Sequence, residues 1–351
     1  MGNFSPLFKR KPRVSMVKLE NTNELSELII ERAKVQIEVK IEETVCEAEG
    51  IMRYVLGDLR GQALEPFDAG AHIDIFLDDD LMRPYSLCGD PMDDHHYQIA
   101  VLRDEKGRGG SKTLHEEFQA GGTVTISIPR NHFQLVAGAS QHLLLAGGIG
   151  VTPMIAMIYE LEARGEAYEM HFCTRSPATT PFKNFLAPRI KKGHVHVHHD
   201  NGDPSQGLDI VKLLREQPSG SHLYFCGPSG FMDATKSAAA HWGDGTLHSE
   251  YFTAPLDNNN GNVDNTAFQV KIKSTSEVYD IPADKSIVCV LRDNGIIVDT
   301  QCEDGYCGTC LTRYVDGKPD HRDTVLDDDD REQFLMICCS RSKSALLVLD
   351  I

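Results

Sequence analysis

The sequence predicts a multidomain chain of α/β plus β class. An antiparallel β-barrel comes first, then a doubly wound parallel α/β domain, then a small α+β domain built around a cysteine loop. Three observations carry that prediction. Residues 34–136 alternate apolar and polar positions with hardly any helical pattern. Residues 137–253 change rhythm to strand, glycine-rich turn and apolar helix. Beyond a polar stretch, Cys302-Glu303-Asp304-Gly305-Tyr306-Cys307-Gly308-Thr309-Cys310 spaces three cysteines as C-x4-C-x2-C, with Cys338 or Cys339 following.

The bulk numbers suit that reading. A chain of 351 residues exceeds what one core usually fills. With 41% hydrophobic and 25% charged residues the composition is that of an ordinary globular protein. The longest apolar run, Leu143 to Tyr159, is interrupted by Gly147, Gly148, Gly150 and Pro153, which argues against a membrane span. No apolar h-region opens the chain, so no secretory signal is expected. Ten cysteines then point to a reducing cytoplasmic setting and cofactor chemistry rather than disulfides. A net charge of −17 speaks against a nucleic-acid partner.

Residues 1–33 hold a basic cluster, Lys9, Arg10, Lys11 and Arg13, then Leu25, Leu28 and Ile29 at helical spacing, and read as a loosely docked extension. In the barrel, Val35, Ile37, Val39 and Ile41 alternate as a half-buried strand. Leu56, residues 71–75 and residues 123–128 repeat that character. Arg83-Pro84-Tyr85-Ser86 sets a cation, an aromatic ring and a hydroxyl side by side, and Pro84 suits an edge strand because it cannot donate to a ladder. Gly107-Arg108-Gly109-Gly110-Ser111 precedes a helix start, and successive glycine amides there make a nest for phosphate.

The α/β segment opens with Leu143 to Ala146 as a buried strand. Gly147-Gly148-Ile149-Gly150-Val151-Thr152-Pro153 follows, with Thr152 expected as N-cap and Pro153 at the first helical position. Small residues there let the backbone approach a pyrophosphate at a helix N-terminus. Further strands are predicted over residues 169–173, 194–199 and 222–226. The last runs into Cys226-Gly227-Pro228, so Cys226 is expected to face a ligand beyond the strand ends. The run His194 to His199 invites a metal reading, since alternation puts His194, His196 and His198 on one face. No acidic or cysteine partner in the sequence completes such a site, so an imidazole-lined strand face is expected instead.

Residues 254–266 are polar and read as a linker. In residues 267–351, Phe268, Val270 and Ile272 form a strand, with a hairpin partner at Val278, Tyr279 and Ile281 and a short helix over residues 286–293. In the cysteine loop, Gly305 and Gly308 permit the tight turns that bring three sulfurs together. A zinc knuckle would more often place a C-x2–4-C pair at each end, and only one end here has one.

Taken together and in this order, these motifs resemble the phthalate dioxygenase reductase type of flavin and iron–sulfur reductase, the reductase component of Rieske oxygenases such as vanillate demethylase and carnitine monooxygenase systems. The resemblance covers residues 34–351 and rests on residues 83–86, 109–111, 147–153, Cys173-Thr174-Arg175-Ser176, Cys226-Gly227-Pro228 and the cysteine loop. It implies a flavin-binding barrel, an NAD-binding domain and a C-terminal β-grasp plant-type ferredoxin domain. It also implies FMN held by Arg83, Gly109, Gly110 and Ser111, with Tyr85 and Ser86 along the ring system. NADH would lie over Gly148, Gly150 and Thr152, with Arg175 towards its ribose and Cys226 and Gly227 at the nicotinamide. Ser86 and Cys226 would flank the reacting atoms. The [2Fe–2S] ligands would be Cys302, Cys307, Cys310 and, from the spacing to Ser340-Arg341, Cys338. If the segment around it is extended, Cys339 points away. The implied activity is electron transfer from NADH through FMN and the cluster to a terminal Rieske oxygenase. NADPH is disfavoured by acidic Asp200 and Asp203, although Arg175 is a cation nearby. A non-catalytic redox sensor and a reductase serving a diiron monooxygenase are the alternatives.

Overall fold

The computed structural model describes residues 35–78, 81–105, 109–252, 265–296, 298, 300, 305, 308, 310–323, 326 and 328–351. The basic extension, nearly all of the polar linker, Gly107, Arg108, Cys302 and Cys307 lie outside the described residues.

Seven strands form the first sheet: β1 (Gln36–Ala48), β2 (Ile51–Asp58), β3 (Ala71–Asp78), β4 (Leu81–Ser86), β5 (His96–Leu102), β6 (Thr123–Ser127) and β7 (Arg130–Asn131). The main path runs β4-β3-β6-β1-β2-β5, with β7 beside β3. In β1, Val39 and Ile41 are buried while Glu38 and Lys40, which alternate with them, are exposed, the period of a strand with one wet face. A bridge from Leu87 to Ile99 joins the ends of the path, and the Cys88 N–H donates to the Gln98 carbonyl at 2.8 Å, so the sheet curls into a barrel. Pro84 sits in β4 at the end of that path, where its missing N–H leaves no ladder bond unmade. Helix α1 (Gly110–Glu117) caps the barrel, with the buried Tyr54 hydroxyl donating to the Leu114 carbonyl at 2.8 Å.

The second sheet is wholly parallel, in the order β10-β9-β8-β11-β12, with β8 (Gln141–Gly147), β9 (Tyr168–Thr174), β10 (Val195–His199), β11 (Ser221–Cys226) and β12 (Leu247–Glu250). Helices α2 (Val151–Arg164), α3 (Lys183–Lys191), α4 (Ile210–Leu213) and α5 (Ser229–Ala238) connect the strands. The core on the α2 side, with Leu144, Ala146 and Phe172, is continuous with the barrel core. The opposite face packs Leu145, Leu223 and Phe225 against Leu214, Met232 and Trp242.

Three expectations need correction here. Helix α2 begins at Val151 with Gly150 as its N-cap, so Thr152 is not the cap and Pro153 is the third helical residue. A 3-10 turn over residues 148–150 leads straight into the helix, and the Thr152 hydroxyl donates back to the Ile149 carbonyl at 3.1 Å. Pro153 is tolerated because the first four helical N–H groups lack intrahelical partners. Strand β10 starts at Val195, so His194 precedes it and stacks on Tyr168 at 5.4 Å, apart from His196 and His198. The sequence-based strand list also omits β12, whose Leu247-His248-Ser249-Glu250 has a single aliphatic residue.

The third part has a core of its own around Val270, Ile287, Leu291, Leu335 and Leu347. Its sheet runs β14-β13-β19-β15-β17, built from β13 (Phe268–Ile272), β14 (Val278–Ile281), β15 (Leu311–Asp316), β17 (Phe334–Met336) and β19 (Leu346–Leu349). Strands β16 (Pro319–Asp320) and β18 (Arg341–Ser342) pair separately. Helix α6 (Ile287–Asp293) is capped by Ser286, whose hydroxyl accepts from the Cys289 N–H. A short helix, α7 (Asp328–Arg331), precedes β17. The parallel β13–β19 pair inside an otherwise antiparallel sheet, with α6 in the connection, is the β-grasp arrangement.

Candidate functional site between the barrel and the parallel sheet

The site is assembled from strand ends. Ser86 closes β4 of the barrel, Cys226 closes β11, and Glu250 closes β12 in register with Cys226. The Ser86 hydroxyl donates to Glu250 Oε2 at 2.9 Å, a bond spanning 164 positions of sequence. One group from the barrel and two from the parallel sheet therefore meet at one point. Loss of water around Glu250 pushes its carboxyl up to about 7 from an ordinary 4.5, with the Ser86 hydrogen bond pulling the other way. Cys226 is fully buried, and burial, then the nearby Glu250, hold its thiol protonated. Glu250 is the residue that sequence reasoning missed. Its strand is short and polar, and only its pairing with β11 reveals its place.

Tyr85 alternates with Ser86 in β4, half-buried against the barrel core, and burial raises its hydroxyl pKa. Behind them lies a cradle suited to an anion. Gly109, at φ 96°, caps α1 in a backbone conformation that L side chains rarely adopt. Among the described residues no side chain caps this helix, and its first turn holds no acid, so its first N–H groups stand at the positive end of the dipole without a side-chain acceptor. A Cβ on Gly110 would stand 2.8 Å from Arg83 Cγ, so the guanidinium arm lies directly over this turn. The Ser111 hydroxyl accepts from the Asp104 N–H at 3.0 Å, an arrangement that keeps its own proton to donate. Arg83, Gly109, Gly110 and Ser111 thus lie together as a donor set of the kind that fits a phosphate.

The second cradle is the turn after β8. Gly148 adopts φ 55°, and a Cβ on Gly150 would stand 2.7 Å from Gly227 N, against the Cys226–Gly227 backbone. Helix α2, like α1, has no side-chain cap and no acid in its first turn. Arg175 is exposed just after β9, where its carbonyl accepts from the Asn201 N–H at 2.8 Å; neighbouring Asp200 donates its N–H to the Thr174 carbonyl at 3.2 Å. A direct consequence follows for Gly150. Gly150→Ala forces backbone against backbone, and we expect destabilisation on the order of 3 kcal/mol. Urea unfolding of the variant checks this.

In the third part, Cys310 and Cys338 are both buried. Gly305 and Gly308 take φ of 78° and 80°, the turn geometry expected of a loop that gathers sulfurs. Residues 337–339 form a turn rather than extended chain, the Cys339 N–H donating to the Met336 carbonyl at 3.2 Å. The alternation argument for separating Cys338 from Cys339 therefore does not apply. One difference between them is burial: Cys338 is buried, whereas Cys339 is half-exposed, its thiol donating to the Met336 carbonyl at 3.7 Å and packing on Gly305.

Comparison with known proteins fits each part. The family described as 2Fe-2S iron-sulfur cluster binding domain matches residues 270–343. The tert-butanol monooxygenase / tert-amyl alcohol desaturase reductase subunit of Aquincola tertiaricarbonis is 45% identical over 326 residues, covering 91% of this chain and 97% of that one. Vanillate O-demethylase oxidoreductase of Pseudomonas sp. strain HR199 is 45% identical over 320 residues, covering 90% and 100%. The solved structure of phthalate dioxygenase reductase aligns with a TM-score of 0.68 at 39% identity, covering 90% of this chain and 98% of that one.

The chain belongs to the phthalate dioxygenase reductase family.

As a member of the phthalate dioxygenase reductase family it is an oxidoreductase, with flavin-binding barrel, NAD-binding sheet and C-terminal ferredoxin domain in that order. Among the described residues, no helix is long and apolar enough to cross a membrane.

Proposed function

We propose that this chain is the reductase component of a Rieske-type oxygenase system, passing electrons from NADH through FMN and its own [2Fe–2S] cluster to the terminal oxygenase. The observation that carries the reading is the Ser86–Glu250 hydrogen bond, which brings the ends of a flavin-barrel strand and a nucleotide-sheet strand to one place, beside Cys226. FMN, when bound, converts the two-electron input of NADH into the single-electron steps a [2Fe–2S] cluster accepts.

The chain's own residues supply position and charge. Arg83, Ser111 and the N-terminal amides of α1 hold the flavin phosphate. Gly148, Gly150 and Thr152 let the nucleotide pyrophosphate reach the α2 N-terminus, and the buried, protonated Cys226 sets a small apolar wall at the nicotinamide. Ser86 presents a hydroxyl whose orientation is fixed by Glu250. Above pH 7 that carboxylate can take the Ser86 hydroxyl proton while Ser86 Oγ takes up the proton that would be released when a bound, reduced flavin is reoxidised. Asp200 beside Arg175 repels a ribose 2′-phosphate, in keeping with NADH rather than NADPH. Cys302, Cys307, Cys310 and Cys338 hold the cluster. The net charge of −17 suits a protein partner with a basic docking face and not nucleic acid.

Anaerobic addition of NADH to the purified protein, followed by visible absorption and by electron paramagnetic resonance of the reduced cluster, tests the route. Both chromophores should bleach together. A flavin that bleaches while the cluster stays oxidised would refute it, and a failure to reduce any Rieske oxygenase would remove the partner assignment alone. Arg83→Gln should weaken FMN retention by about tenfold or more, as expected for a lost charge-assisted hydrogen bond of roughly 1.5–3 kcal/mol. Fluorescence of released flavin on dilution measures this.

A further inference from the structure

We propose that the outer edge of the nucleotide-binding sheet carries a binding site for a divalent transition-metal ion of the zinc type, held by Glu169, His171 and His196. The backbone dictates the grouping. Strands β9 and β10 run parallel with His171 opposite His196, and Glu169 lies two residues before His171, so all three side chains emerge on one face. Met170, Phe172 and Val195 turn to the other face and fill the core. The sequence shows the histidines of β10 but not their partners, because Glu169 and His171 arrive from the neighbouring strand.

The geometry is close to that of a ligand set. Glu169 Oε1 lies 3.2 Å from His171 Nε2 and 3.1 Å from His196 Nε2, and all three ligand atoms fall within 4.8 Å of one another. Metal–ligand bonds of about 2.0–2.1 Å at a tetrahedral angle place neighbouring ligand atoms about 3.3 Å apart, so two of the three separations already match. The His171 and His196 rings stack at 4.9 Å with a 24° tilt, which sets their nitrogens side by side. His171 is only 8% exposed, and its Nδ1 meets His198 Nε2 at 3.0 Å. Such an outer hydrogen bond fixes the tautomer and ring orientation of a ligating imidazole. A cation bound by His171 Nε2 leaves the ring proton on Nδ1, where His198 Nε2 can accept it.

Two imidazoles and one carboxylate select late first-row ions over calcium or magnesium, which prefer oxygen ligands. The side chains of His196 and Glu169 are 41% and 38% exposed, so an ion can enter and keep water in its open position. Leu145, the register partner of His171, and Ala146, that of Cys226, point to opposite faces. The proposed ion therefore lies across the sheet from Cys226 and Glu250, and its binding can be read independently of turnover.

The test uses the oxidised holoprotein, whose [2Fe–2S] centre is diamagnetic. Equilibrium dialysis with Zn2+ should give one tight site per chain, and bound Cu2+ should show electron paramagnetic resonance couplings to two imidazole nitrogens. His196→Ala and Glu169→Gln, both at solvent-accessible positions, should each weaken Zn2+ binding at least about tenfold, and His198→Ala about 10–100-fold as an outer partner. His194→Ala should change nothing, since that ring stacks on Tyr168. Wild-type affinity in both His196→Ala and Glu169→Gln, or equal loss in His194→Ala, would overturn the assignment and leave only diffuse histidine binding.

Discussion

Serine in place of Cys338 should leave a protein with flavin bands but no cluster, whereas serine in place of Cys339 should leave both chromophores. Cys338 is buried just beyond β17, in the same core as Cys310. Its neighbour Cys339 is half-exposed and makes a weak hydrogen bond to the Met336 carbonyl, which a serine hydroxyl can replace. Four thiolates hold a plant-type cluster, and removing one leaves an iron without its soft ligand. Cys338→Ser should therefore abolish the reduced-cluster resonance and NADH-driven cytochrome c reduction. Flavin-dependent ferricyanide reduction should persist, because that acceptor takes electrons before the cluster. Loss of the cluster in Cys339→Ser with retention in Cys338→Ser would reassign the fourth ligand.

The second large effect concerns pH. NADH-driven flux in the wild type should rise through an inflection near pH 7, and Glu250→Gln should lower the rate at pH 8 and flatten the profile. The reason is the carboxyl at about 7: above it Glu250 is an anion that orients Ser86 and accepts a proton, and below it that capacity is lost. Stability should move the other way. The folded value lies above the ordinary 4.5, so folding favours the protonated form. That contribution is fully present below pH 4.5 and is lost as pH rises through 7. Glu250→Gln, neutral throughout, should match the wild type below pH 4.5 and gain in relative melting temperature between 4.5 and 7. Melting curves at several pH values, beside stopped-flow NADH oxidation, check both halves. An unchanged inflection in the variant would assign the titration to another group.

Much of this protein was legible before any coordinate. Gly109-Gly110-Ser111, residues 147–150 and the C-x4-C-x2-C loop are local devices: each places backbone amides or sulfurs within a few residues of one another, so their spacing can be read along the chain. Pro84 on an end strand was readable from its missing N–H, whereas Ser286, expected as the first helical residue, proves to be the cap of α6. The N-cap of α2 was misplaced by two residues because a 3-10 turn and an α-helix share the same small residues at their junction.

The order of the three folded parts and the C-terminal iron–sulfur domain could be read along the chain, because neighbours in sequence set both. Only the tertiary structure decided which distant groups meet. Glu250 reaches Ser86 because β12 pairs with β11, and Glu169 with His171 reaches His196 because β9 pairs with β10. Strand register brings side chains within about 5 Å across a sheet whatever their separation in sequence. No local pattern records that pairing.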